Sequence, residues 1–173
     1  MDNKPRCKWC NIKNSRYVEY HDNEWGKPQF TDQYLYEMLI LESFQAGLSW
    51  ECVLNKREDF RKAYDDFDLE KIIAYDEAKI QELLTNKDII RNKKKIHASI
   101  TNSIIFKSIL EEFGSFHHYL RKFTNDNIIY ETDKTTNYLS DAISLDLQRR
   151  GMKFVGSINI YSYLQALGLI YYH

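Results

Sequence analysis

A chain of 173 residues is long enough for one domain with a real core and too short to expect two, so residues 1–173 are read as a single domain. At 43% hydrophobic and 28% charged, with six glycines and two prolines, the composition excludes a disordered or low-complexity protein. A formal net charge of -1 excludes a global electrostatic footprint for nucleic acid, and any such role must rest on local basic patches.

The opening "MDNKPRCKWC" lacks the apolar run of a secretory signal, and no stretch reaches the roughly 18 apolar residues that a membrane span needs. A cytoplasmic location is therefore expected. Cys7, Cys10 and Cys52 cannot all pair with one another, so they read as thiols or metal ligands. Thr31 or Asp32 caps the first long helix, "QYLYEMLILESFQAG", which stops at Gly47. Ser49 caps a second that runs to about Tyr64, and Asp68 and Asp76 start two short ones. A longer helix is expected from about Lys93 to Phe113, with Ile96, Ile100, Ile104 and Leu110 as its buried stripe and Gly114 as its stop. Ser115 opens a short helix, and Phe123 to Asn137 contains the one polar stretch long enough to be a substantial loop. Ser140 opens a helix that ends at Gly151, and the last follows Gly156 and stops at Gly168. The fold class expected is all-α.

Three constellations on this scaffold carry chemistry. In the first long helix Leu35, Met38, Glu42 and Ala46 fall at i, i+3, i+7 and i+11, so Glu42 continues an apolar stripe that faces the core. A buried carboxylate is costly without a counterpart, which is either an internal arginine, water at the edge of the stripe, or a ligand. Cys7, Cys10, His21 and His173 are of ligand types that suit zinc, although only the CxxC spacing is local. "NKDIIRNKKKIHAS" places Asn92, Lys93, Lys94 and Lys95 at a helix start, where exposed amides and ammonium groups suit a phosphate; a solvated lysine face is the plainer reading. "RRGMKF" is a second basic cluster, at a helix C-terminus where the dipole alone favours cations.

Taken together, "RCKW", "YHDNEWG", "LESFQAGLSW", "VLNKREDFRKAYDDFD", "IIRNKKKI", "RRGMKFVG" and "YSYLQALGL" resemble the DNA-3-methyladenine glycosylase I family of constitutive alkylation repair, from Arg6 to His173. The resemblance implies a helix-hairpin-helix DNA glycosylase fold whose N-terminal segment and C-terminal helix are joined at a structural zinc site. It implies double-stranded alkylated DNA as the partner, a monomer, and hydrolysis of the N-glycosidic bond of 3-methyladenine to leave an abasic site. "DIIRNKKKI" departs from the glycine-rich hairpin of the wider superfamily, as this family does.

By the same resemblance Glu42 is the catalytic-site carboxylate that binds the hydrogen-bonding edge of the base, Trp50 stacks on its face, and Tyr20 packs on it or hydrogen-bonds to it. Trp25, Tyr17 and Trp9 supply further aromatic walls. Asn92, Lys93, Lys94, Lys95 and Leu48 contact the DNA. Cys7, His21 and His173 ligate the metal. The family has a further cysteine a few residues beyond the position of His173, where this sequence stops; either the natural chain continues, or Cys10, water or the terminal carboxylate completes the tetrahedron. Physical chemistry fits these roles, because 3-methyladenine in DNA is cationic and supplies the charge that Glu42 lacks. Aromatic faces then add cation–π attraction, on the order of 2 kcal/mol when desolvated. Two other classes are compatible with the residues alone: a helical nucleic-acid binder without chemistry, which leaves Glu42 unexplained, and a small metalloenzyme with zinc held by Cys and His.

Overall fold

A computed structural model of the chain describes residues 4–172. Among them lie ten α-helices: α1 (Ser15–Asn23), α2 (Asp32–Gln45), α3 (Trp50–Asn55), α4 (Arg57–Ala63), α5 (Leu69–Ile73), α6 (Glu77–Thr85), α7 (Lys93–Phe113), α8 (Phe116–Thr124), α9 (Tyr138–Arg149) and α10 (Ser157–Ala166). Two short strands, β1 (Ile129–Tyr130) and β2 (Ile170–Tyr171), pair in parallel, with Ile129 opposite Ile170.

α2 is the axis of the domain. The Thr31 side chain caps it by accepting from the Tyr34 amide, and every residue from Tyr34 to Phe44 is buried. A helix without a solvent face has to be surrounded. α3, α7, α8 and α10 pack around it. The chain leaves α2 through Gly47, whose φ of +77° favours glycine, and re-enters helix at once with Ser49 accepting from the Cys52 amide. That two-step turn sets Trp50 beside the C-terminal half of α2.

Most helix starts fall where the sequence places them, at Thr31, Ser49, Asp68, Asp76, Asn92 and Ser115. Four features differ. The helix expected from Ser49 to about Tyr64 is two, because the Lys56 amide turns back to the Val53 carbonyl three residues earlier and starts α4 in a new direction. α9 begins at Tyr138, two residues before Ser140: Asn137 is the cap, and Ser140 is its reciprocal partner in a capping box. In α7 the expected stripe is fully buried only at Ile96, with Ile100 and Leu110 half-buried against the core. Ile104 is 51% exposed, whereas Ile96, Ser99, Ser103 and Phe106 are buried. A helix advances about 100° per residue, so positions four apart drift about 40° per step and cannot hold one face over three turns. The buried serines instead meet tyrosine hydroxyls, Ser99 with Tyr64 and Ser103 with Tyr36. Finally, α1 was not expected, since its buried residues are only Tyr17 and Tyr20 among polar neighbours.

The C-terminal end of α10 closes on the turn after α1. The Gly26 amide donates to the Ala166 carbonyl at 3.0 Å. Gly168 has φ +76°, and a Cβ there would lie 2.6 Å from the Gly26 carbonyl oxygen. Gly168→Ala is therefore expected to cost about 1–2 kcal/mol for the left-handed backbone alone, with the steric clash in addition. Circular-dichroism melting should show a midpoint lower by at least roughly 2–8 °C. An unchanged midpoint would mean that the two turns are not locked together.

Candidate active site

One pocket of about 180 Å³ gathers side chains from four helices and two turns: Trp9, Tyr17 and Tyr20, Trp25, Glu42 and Gln45, Trp50, and Ser162 and Gln165. All six residues expected at the base-binding site thus lie in one cavity. Its walls are aromatic. Trp9 stands edge-on to Trp25 at 5.0 Å between centroids and tilts over Tyr17 at 5.3 Å, while Tyr20 and Trp50 meet at 5.6 Å.

Glu42 is 3% exposed and its Oε1 has no hydrogen-bond partner. Burial alone pushes its carboxyl well above the usual carboxylate range. The arginines of α4 donate elsewhere, although Arg57 Nε is itself without a partner. Arg57 donates to Glu24 at 2.8 Å and to Glu37 at 3.1 Å, and Arg61 also binds Glu37. Trp50 presents a second orphan, since its buried Nε1 has no acceptor. The pocket therefore holds one unmatched acceptor and one unmatched donor, both of which a planar ligand with polar edges could satisfy. Burial, helped by Tyr34, Glu42 and Glu24 nearby, raises Tyr20 well above its ordinary value, so its hydroxyl keeps its proton.

The stretch "YHDNEWG" is resolved residue by residue. Arg6 forks onto Asp22 with contacts of 2.6–3.1 Å, and these bonds, with one from His21, hold the Asp22 carboxyl far below its ordinary range. Glu24 accepts from Tyr34 and Arg57. The polar groups fasten the segment to three other parts of the chain, and Tyr20 and Trp25 are what it delivers to the pocket.

The expected DNA-contacting residues separate into two groups. Asn92, Lys93 and Lys94 are exposed at the start of α7, and Leu48 is 42% exposed on the turn before Trp50. Lys95 is not on that surface. It is 6% exposed and its Nζ donates to the carbonyls of Phe44, at 2.8 Å, and Ala46. These are orphan carbonyls at the C-terminal end of α2, where a cation also complements the helix dipole. A run of three lysines at a helix start does not reveal that the third turns inward.

Of the expected metal ligands, Cys7 and His21 are neighbours: the Cys7 amide donates to His21 Nε2 at 3.2 Å, and His21 Nδ1 faces Asp22 Oδ1 at 2.9 Å. His173 lies outside the described residues, and among the described residues no three His, Cys, Asp or Glu side chains converge on one point. Gln45, Ser162 and Gln165 were not anticipated in the pocket. The signal was present, since Gln45 lies three residues after Glu42 and Ser162 and Gln165 are three apart on α10.

Comparison with known proteins bears on this geometry. A family model described as methyladenine glycosylase matches residues 9–173. This chain belongs to the methyladenine glycosylase family. DNA-3-methyladenine glycosylase 1 of Escherichia coli (strain K12) is 38% identical over 174 residues, covering 97% of this chain and 92% of the relative. The DNA-3-methyladenine glycosylase of Haemophilus influenzae is 35% identical over 171 residues, covering 95% and 92%. A solved 3-methyladenine DNA glycosylase I from Staphylococcus aureus, studied for the structural basis of 3-methyladenine recognition, superposes with a TM-score of 0.89 at 32% identity, covering 94% of this chain and 89% of that one. The mostly helical fold is thus the fold of the family. Among the described residues no helix is long and apolar enough to cross a membrane.

The unpartnered carboxyl has a measurable signature. A folded-state pKa raised above the ordinary value of 4.5 gives a contribution to stability that is fully present below that pH and lost as pH rises through the folded-state value. Glu42→Gln removes this dependence. The difference in melting temperature, variant minus parent, should be small near pH 4.5 and grow in favour of the variant as pH rises. Melting curves that stay a constant distance apart from pH 4 to 8 would show that Glu42 has found a partner.

Proposed function

We propose that the chain excises 3-methyladenine from alkylated double-stranded DNA by hydrolysing the N-glycosidic bond. The observation that carries this reading is Glu42: a buried carboxyl with no protein counterpart, on the floor of a pocket walled by Trp9, Tyr17, Tyr20, Trp25 and Trp50. A nucleotide within a duplex is out of reach of such a floor, so the substrate has to be extruded, at a cost of a few kcal/mol. A cationic base then meets an ionised Glu42, and the aromatic faces favour it over neutral adenine. Trp50 stacks on the base, and Tyr20 keeps its hydroxyl proton available as a donor. Water attacks C1′ as the C1′–N bond breaks; the bonding electron pair neutralises the departing base, and water gives up a proton to solvent. An already cationic leaving group asks for little acid catalysis. Exposed Lys93 and Lys94, with the amides after Asn92, serve as the phosphate-holding turn of a helix-hairpin-helix formed by α6, residues 86–92 and α7, and Leu48 projects toward the duplex.

The reading is tested by single-turnover release of 3-methyladenine from methylated DNA. A charge-assisted hydrogen bond is worth roughly 1.5–3 kcal/mol, so Glu42→Gln should slow release about ten- to a hundredfold. Release at the parent rate would remove Glu42 from recognition.

Zinc belongs to the same reading. Cys7 and His21 suit it: they adjoin through the Cys7 amide at His21 Nε2, a bond the metal would replace, and Asp22 orients the imidazole from behind at Nδ1, as carboxylates do for metal-bound histidines. His173 would be the ligand from the other end of the chain. The metal would act structurally, tying the first segment to the last and thereby holding Trp9 and Trp25. Cys7→Ser should lower both zinc content and melting temperature. Protein purified without zinc but with an unaltered melting temperature would dismiss the clasp.

A further inference from the structure

Two buried atoms of complementary chemistry are left without partners: Oε1 of Glu42 and Nε of Arg57. An arginine and a carboxylate in one core ordinarily meet, because each offsets the other's desolvation. Here they stay a helical turn apart. Arg57 Nη2 lies 3.7 Å from Met38 Sδ, and Met38 precedes Glu42 by four residues on the same face of α2, about 6 Å along the axis. That step is within the sweep of an arginine side chain, so something has to hold Arg57 back.

What holds it is Glu24. Arg57 Nη1 donates to both carboxylate oxygens of Glu24, each at 2.8 Å, while Nη2 donates to Glu37 at 3.1 Å. Glu37 is divided between Arg57 and Arg61, whereas Glu24 gives both oxygens to Arg57. Glu24 is itself fixed from two sides: its amide donates to the Tyr20 carbonyl at the end of α1, and its carboxylate accepts from the Tyr34 hydroxyl at 2.9 Å. Between this ion pair and Glu42 stands Tyr20. It lines the pocket that contains Glu42 and also a second cavity, of about 520 Å³, onto which Glu24 and Arg57 open. Burial above all, then Tyr34, Glu42 and Glu24, hold the Tyr20 hydroxyl well above its ordinary value, with Arg57 acting against them. The phenol thus lies in the field of the pocket carboxyl on one side and of the ion pair on the other.

We infer that Glu24 is a positioning residue for the recognition carboxyl: by holding Arg57 behind Tyr20, it keeps the arginine from pairing with Glu42 and leaves that carboxyl to a cationic base. The inference deepens the glycosylase reading and rests on it for the identity of the ligand. Without the Glu24 charge, Arg57 has a freed Nη1 and an unused Nε to turn toward Glu42. Even unmoved, its charge would stand uncancelled about one turn from where the base has to bind. Either outcome opposes a cation in the pocket. Glu24 acts by exclusion, without touching the base.

Glu24→Gln keeps the size of the side chain and an acceptor for Tyr34 while deleting the charge. In melting curves near neutral pH, Glu42→Gln should raise the midpoint of the parent but not that of Glu24→Gln, in which the carboxyl has found Arg57. In single-turnover release of 3-methyladenine from methylated duplex, Glu24→Gln should be slower by on the order of tenfold, and adding Arg57→Met should recover most of that loss. A Glu24 that only anchored α1 would not be rescued by a second disruptive substitution. If Glu42→Gln shifts the midpoint equally in both backgrounds, or if Arg57→Met brings no recovery in a folded protein, Glu24 is not a guard, and the glycosylase reading is untouched. A parent that releases no base yet shows the background-dependent shift would uphold the guard and sink the glycosylase reading. The melting comparison contains no arginine variant, so it decides the question even where Arg57→Met does not fold.

Discussion

The arrangement depends on one unmatched carboxyl. Among the described residues four charged side chains are buried: Glu37, Glu42, Arg57 and Lys95. Arg57 is bound to Glu37 and Glu24, and although burial pushes Glu37 upward, Arg61 and Arg57 hold its carboxyl below the ordinary range. Lys95 is satisfied by backbone carbonyls. Both buried cations are thus committed away from Glu42, which keeps an unmatched oxygen at the bottom of an aromatic pocket. A core optimised only for stability would have placed Arg57 or Lys95 there, or leucine in place of Glu42. Leaving the carboxyl without a counterpart costs stability in the free protein and reserves its interaction for what enters the pocket.

Keeping such a group unpaired requires that nothing around it can shift to meet it, and the surroundings of α2 supply that rigidity at both ends of the pocket. At the C-terminal end, Lys95 and Asn159 bind the carbonyls of Phe44, Ala46 and Glu42, so α7 and α10 grip the last turn of the helix directly. The same grip fixes the start of the Gly47 turn, from which Leu48 and Trp50 project. On the opposite wall the segment Tyr20–Gly26 is fastened through Asp22 to Arg6, through Glu24 to Tyr34 and Arg57, and through Gly26 to the end of α10. α10 takes part in both sets of restraints, which makes it the strut that keeps the two walls a fixed distance apart.

Much of this was legible in the sequence because the relevant physics is local. Caps at Thr31, Ser49, Asp68, Asp76 and Asn92 are short side chains bonding to amides two or three residues on, and a carboxylate on an apolar stripe is visible from helical period alone. What could not be read is what depends on distant partners. The inward turn of Lys95 is decided by carbonyls about fifty residues earlier in the chain, and an identical lysine run with Lys95 in solvent would have the same sequence pattern. α1 is hidden for a related reason: beyond its local Asn14 cap and the buried Tyr17 and Tyr20, it is anchored by distant partners, Arg6 on Asp22 and Tyr34 and Arg57 on its C-cap Glu24. The expected stripe of α7 fails at Ile104 because the buried face combines Ile96, Ile105, Phe106 and Ile109 with Ser99 and Ser103, two small polar residues whose burial depends on tyrosine hydroxyls distant in the chain.

The position of Lys95 has a consequence for how recognition and DNA binding are joined. Within one helical turn α7 exposes Lys93 and Lys94 and sends Lys95 down to the end of α2. Lys95 thus ties the turn that bears the exposed lysines to the carbonyls at the end of the Glu42 helix, next to the Gly47 turn that carries Leu48 and Trp50. Under the proposed function this places phosphate contact and base contact on one mechanical unit, so that the register of the backbone on α7 sets which nucleotide stands over the pocket. Phosphate contacts alone carry no sequence information, and the pocket alone cannot find a base within a duplex; under the same proposal, Lys95 joins a non-selective grip to a selective carboxyl.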